Sequence, residues 1–137
     1  MIRRDEALIK YLRDELPSRV NALLGAGDGA STLRGLAGLC VEVLNKSCSA
    51  LGLQCGSGLD GAWSVMEGVI GLSGEYVLAR YMAVVASADF IASRASPLIV
   101  DMLVRDLLTC VEKVRVIVLK MVEAGKPWRE IYGPGLG

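Results

Sequence analysis

The sequence predicts an all-α fold, an antiparallel bundle of four to five helices joined by short glycine-rich loops. Three observations lead there. Apolar residues recur at helical spacing over long stretches, and caps and breakers punctuate those stretches. Aromatic residues make up only 5% of a chain whose apolar fraction is 53%. Aliphatic and small side chains in that proportion suit helix packing better than a β-sandwich. The 137 residues read as one bundle domain, residues 1–125, followed by a tail with aromatic anchors, residues 126–137.

The first helical pattern runs from Ile2 to Leu24, with Ile9, Leu12, Leu16, Val20 and Leu23 on one side. Glu6 and Lys10, and Glu15 and Arg19, are favourable pairs four apart. Pro17 falls inside the pattern. An interior proline removes a hydrogen bond and crowds the preceding turn, so the pattern predicts a kink there, or a break with Pro17 opening a second short helix.

Gly25-Ala26-Gly27-Asp28-Gly29-Ala30-Ser31-Thr32 then reads as a connector. A glycine-rich loop before a helix can cradle phosphate, with Arg34 supplying charge, but this one follows a helix and lacks the lysine of a P-loop. A helix from Ser31 or Thr32 to about Leu51 buries Leu33, Leu36, Leu39, Cys40, Val43, Leu44, Cys48 and Leu51. Gly52 ends it, and Asp60 is a candidate cap for the next helix.

The stretch from Gly61 to Glu123 holds two apolar limbs and reads as the hairpin that organises the fold. Its first limb, Ala62 to Arg94, is apolar on most of its circumference and is expected to be the central helix. One side carries Val65, Gly68, Val69, Leu72, Tyr76, Ala79, Ala83, Ala86 and Phe90, where small residues would let a neighbouring backbone approach closely. Gly71 and Gly74 together cost about 2 kcal/mol of helix propensity, enough to kink or break the limb. Arg80 falls on its apolar side. It either snorkels to water, forms a buried ion pair, or makes an anion site inside the bundle with carboxylates such as Glu42, Glu67 or Glu75. The uncharged part of this limb's core, Tyr81 to Ala88, falls well short of the ~20 residues a membrane span needs, so no membrane partner is expected.

The second limb carries the clearest signals. Ser96 caps it, Pro97 takes its first position, and Gly125 with Pro127 stops it. Leu98, Leu108, Val116 and Leu119 lie among its charged residues on one arc. A contiguous apolar strip on a charged face suggests a partner helix or a second copy. In the tail, Trp128 and Tyr132 are four apart and face one way, as a flap over the open end of the bundle or as a docking peptide; the flap is the preferred reading.

Several chemistries are excluded by what is missing. Histidine is absent, which removes the Ser-His and Cys-His nucleophile pairs and most zinc or iron ligand sets. Fifteen basic residues balance fifteen acidic ones, so net charge gives no case for nucleic acid or an anionic membrane surface. No metal and no cofactor is expected. Of the four cysteines, Cys40 and Cys110 fall on apolar faces and read as buried thiols. Cys48 and Cys55 flank a turn at a helix end, and form the candidate disulfide if the loop folds back.

The opening Met1-Ile2-Arg3-Arg4-Asp5-Glu6 is charged and leads into no apolar signal region, which points to the cytoplasm. Scarce amides (Asn21, Asn45 and Gln54) suggest a thermophilic source. The function expected is a non-enzymatic interaction or assembly protein, a homo-oligomer or a small subunit of a larger complex. A ribonucleoprotein subunit would need Arg3, Arg4, Lys10, Arg13 or Arg19 gathered into one patch. The alternative is a ligand- or anion-binding bundle, or a histidine-independent enzyme, built around Arg80 and helix carboxylates.

Overall fold

A computed structural model describes residues 1–25 and 27–133. In chain order the elements are α1 (Glu6–Lys10), a π-helical segment (Tyr11–Glu15), α2 (Leu16–Gly25), α3 (Gly29–Ser47), α4 (Gly58–Ser73), α5 (Leu78–Arg94), α6 (Pro97–Ala124) and α7 (Trp128–Tyr132). No strand occurs among the described residues. The all-helical class is as the sequence predicts, with finer division of the rods.

Helical backbone continues through Pro17, which stands at the second position of a separate helix, α2, directly after the π-helical segment. The widened turn moves the lost hydrogen bond from the carbonyl four residues back to the one five back. The cap of α3 also differs from expectation. Asp28 holds that position, its carboxylate accepting from the Ser31 amide at 2.8 Å, and the helix begins at Gly29. That contact, together with the Asp28–Ser31 side-chain hydrogen bond, holds the Asp28 carboxyl below its ordinary range. Asp60 lies within the first turn of α4, which starts at Gly58 with Ser57 at the cap position.

The centre of the bundle is α3, which packs against α2, α4, α5 and α6. Leu33, Leu36, Val43 and Leu44 on it are fully enclosed. The limb expected to be central is two helices, α4 and α5, separated at Gly74, whose φ of 76° is left-handed and open to glycine at little cost. This break decides which residues face inward. In α4 the core side is Val65, Met66 and Val69; in α5 it is Leu78, Met82, Val85 and Ala88. At 100° per residue on an unbroken helix, these two sets would lie roughly half a turn apart. Everything read from one continuous wheel therefore reverses after Gly74.

The last long helix matches its sequence signals. Ser96 accepts from the Ile99 amide at 3.5 Å, Pro97 takes the first position, and Gly125, at φ 65°, sends its N–H back to the Met121 carbonyl. Val100, Leu107, Cys110, Val111, Val114, Val118, Met121 and Val122 form its buried side. At about 1.5–3 kcal/mol for each fully enclosed large aliphatic, this helix supplies a major share of the driving force for folding.

Candidate functional site

Two surfaces concentrate the features a partner would use. The first lies where α7 folds back on α6. Pro127 precedes this short helix, and the Trp128 and Tyr132 rings lie against each other at a tilt of 40°, centroids 4.4 Å apart. Lys120 reaches over the Tyr132 ring at 5.8 Å. Beneath them opens a groove of about 540 Å³, walled by Leu108, Val116, Ile117 and Trp128 and rimmed by Glu75 and Lys113. Lys113 Nζ and Glu75 Oε1 are 3.6 Å apart at this rim. An apolar wall with a few charged groups at its edge suits a hydrophobic side chain.

The four residues expected to form a free strip on α6 do not form one. Leu98 is 72% exposed, but Leu108, Val116 and Leu119 are half-buried. Leu108 and Leu119 pack against the core, and Leu108 lines a cavity together with Leu16, Pro17 and Val20. The correction has a plain cause: the first rod and the tail helix fold over that arc. Trp128 is half-buried and Tyr132 exposed, so the tail helix is laid on the bundle as a flap. Residues 134–137 of the tail lie outside the described residues.

The second surface is the outward face of α5, which sequence reasoning placed on the core side. Tyr76 is 70% and Phe90 63% exposed, and Ala79, Ala83 and Ala86 between them are exposed as well. Arg94 lies over the Phe90 ring at 4.3 Å. Ile99 and Met102, also exposed, follow at the start of α6 beside Leu98. The glycines at 71 and 74 allow a kink or a break, and only the break, seen at Gly74, turns this face outward.

Arg80 belongs to that outward side. It is exposed, and the expected buried ion pair or internal anion site does not form around it. Its candidate partners are engaged or distant: Glu42 accepts the Tyr11 hydroxyl at 2.6 Å and pairs with Arg19, Glu75 faces Lys113, and Glu67 is exposed. The hydroxyl of Tyr11 is held well above its ordinary pKa by burial first and then by this hydrogen bond to Glu42. Lys46 caps its ring at 4.6 Å.

Among its described residues, the glycine loop before α3 presents no free anion cradle. The Asp28 carboxylate occupies the helix N-terminus, and Arg34 donates to Asp89 and Ser93, both at 2.9 Å. Ala26 in that loop lies outside the described residues. Four arginines of the first rod are each paired with a carboxylate, and Arg4 and Arg13 both reach Glu123, Arg4 at that residue's backbone carbonyl. Arg3 pairs with Asp5, Arg4 with Glu6, Arg13 with Glu123 and Arg19 with Glu42.

Cys48 and Cys55 are joined, their Cα atoms 5.7 Å apart, which closes the loop between α3 and α4. Cys40 and Cys110 are buried free thiols on α3 and α6. The thiol of Cys40 is pushed well up by its hydrogen bond with Cys110 and by burial, which makes it a poor nucleophile. Among the described residues no three Cys, Asp or Glu side chains gather into a metal-binding cluster, and no helix is long and apolar enough to cross a membrane. Compared with known protein families, with curated proteins and with solved structures, the chain matches none of them.

Proposed function

We propose that this chain is a non-enzymatic assembly protein, one that self-associates or serves as a small subunit of a larger complex. The observation that carries the reading is the apolar outward face of α5 and the start of α6, where Tyr76, Phe90, Leu98 and Met102 stand in solvent in one segment of chain. Single exposed apolar residues are ordinary, but a run of large ones around a stripe of alanines is what protein interfaces are made from. The pairing of Arg3, Arg4, Arg13 and Arg19 with carboxylates favours a protein partner over nucleic acid.

The test is the native mass of untagged protein by light scattering, with the ultraviolet spectrum read across the same peak. A species heavier than one chain and free of nucleic acid supports the assembly reading. A heavier peak carrying strong absorbance at 260 nm, removed by nuclease, supports the ribonucleoprotein version. A chain that stays monomeric up to roughly several hundred micromolar, where a small interface should form, and that captures nothing from its own cell extract overturns both.

A further inference from the structure

Resting on that assembly reading, we infer that the partner on α5 is a second copy of this chain, bound in parallel along α5 about a two-fold axis. Tyr76, Ala79, Ala83, Ala86 and Phe90 are spaced three, four, three and four residues apart, the alternation of a coiled-coil seam. All five are exposed, and the side opposite them, Leu78, Met82 and Val85, is buried in this chain's own core. Tyr76 lies in the turn entering α5, where its carbonyl accepts the Ala79 N–H at 3.1 Å and so keeps it in register with the helix. Three alanines in the middle allow the two backbones to close to the short end of helix–helix distances, about 8 Å. The aromatic rings at the two ends cap the close approach.

The charges beside the seam choose the orientation. One edge carries Arg80 and Arg94, and the other carries Glu75 and Asp89. Glu75 precedes Arg80 by five residues, and Asp89 precedes Arg94 by five. In a parallel pair that is the offset at which a residue on one edge meets the facing edge of its partner, acid against base at both ends. An antiparallel pair would set Glu75 against Asp89 across the axis. The Asp89 side chain is 92% exposed and engages Arg34 through one oxygen, which leaves the other for an arginine of the second copy. Glu75 is turned toward Lys113 at 3.6 Å, so the Asp89–Arg94 contact is the stronger of the two.

The seam spans about 21 Å of helix, from the helical rise over fourteen residues, and by itself makes a small interface. The dimer is therefore expected to dissociate at low micromolar concentration and to form at several hundred micromolar.

Analytical ultracentrifugation over that range tests the pairing, using the intact chain, Ala83→Glu and Ala79→Cys. The expected results are a concentration-dependent dimer for the parent, at least tenfold weaker pairing for A83E with an unchanged circular-dichroism melt, and self-cross-linking of A79C under mild oxidation. In a parallel seam each Ala79 faces its own copy; in an antiparallel one it faces Ala86. A parent that is dimeric and indifferent to A83E overturns the seam and leaves the assembly reading standing. Cross-linking of A79C only when mixed with Ala86→Cys overturns the parallel orientation. A parent that is monomeric throughout overturns self-pairing altogether.

Discussion

The Arg115 guanidinium donates through Nη1 to the backbone carbonyl of Leu12 at 3.3 Å, across the gap between α6 and the π-helical segment. Proline explains why that carbonyl is free. In the π register the Leu16 N–H goes to the Tyr11 carbonyl, so the Leu12 carbonyl should receive the next N–H, which Pro17 lacks. Arg115 is held for the task by a bidentate bond to Glu112, at 2.9 and 2.7 Å, which raises its pKa further. Replacing Arg115 with Met should therefore cost about 1–2 kcal/mol, the penalty for a stranded part-buried carbonyl. In a Pro17→Ala background, where the chain supplies its own N–H, the cost should shrink to a few tenths of a kcal/mol, as expected once the carbonyl has another partner. Urea unfolding of the four proteins measures the coupling. An equal cost in both backgrounds would break the link between Pro17 and Arg115.

Tyr11 sets an alkaline limit. Its folded pKa is raised above the unfolded value of 10.0, chiefly by burial and then by its bond to Glu42. Unfolding therefore releases this proton more easily than the native state does. The stabilising contribution is complete below pH 10 and is lost as pH climbs toward the folded pKa. Tyr11→Phe should be less stable at pH 7, from the lost bond, and should show a flatter decline in melting temperature between pH 9.5 and 11. Ultraviolet titration should also lose its latest-ionising phenol. If all phenols of the parent ionise together near pH 10, Tyr11 is not enclosed as described.

The disulfide is the third point of leverage. Cys48 is buried at the end of α3 while Cys55 is exposed, so the bond ties an exposed loop to the most central helix. Closing a loop of this length is worth about 2–2.5 kcal/mol on the chain-entropy estimate. Cys55→Ala should lose roughly that amount by urea unfolding, in line with the same estimate, and should no longer respond to reductant. The parent melted with reductant should fall to the level of the variant. A parent indifferent to reductant would mean the bond adds nothing to stability.

How much of this could be read from sequence depends on whether a signal is local. The ends of α6 were legible because Ser96, Pro97 and Gly125 act on the backbone beside them. The pairing of Cys48 with Cys55 was legible as a possibility, since the separation allowed it and only the fold of the loop could decide. The position of α3 was not legible. Its apolar face resembles that of any bundle helix, and its centrality comes from α2, α4, α5 and α6 all packing against it. The outward face of α5 was misread for a related reason. Ala79, Ala83, Ala86 and Phe90 have core-like composition, and composition alone cannot separate a face buried in its own fold from one left exposed. A helical wheel drawn without the break at Gly74 puts Arg80 on the wrong side of the helix.

Gly71 and Gly74 test that point directly, because they are the same residue type three apart with opposite roles. Gly71 lies inside α4, exposed, with nothing within 4 Å of where a Cβ would stand. Alanine there should stabilise the protein by about 0.5–1 kcal/mol, from helix propensity and reduced freedom of the unfolded chain. Gly74 is buried with φ at 76°, and its N–H closes α4 on the Ile70 carbonyl at 2.7 Å. Alanine at that position meets the left-handed penalty of about 1–2 kcal/mol and should destabilise by at least that much. Paired urea curves on Gly71→Ala and Gly74→Ala read both signs in one experiment. If both substitutions stabilise, α4 and α5 form a single continuous helix, the outward stripe turns back into the core, and the α5 seam has no surface to form on.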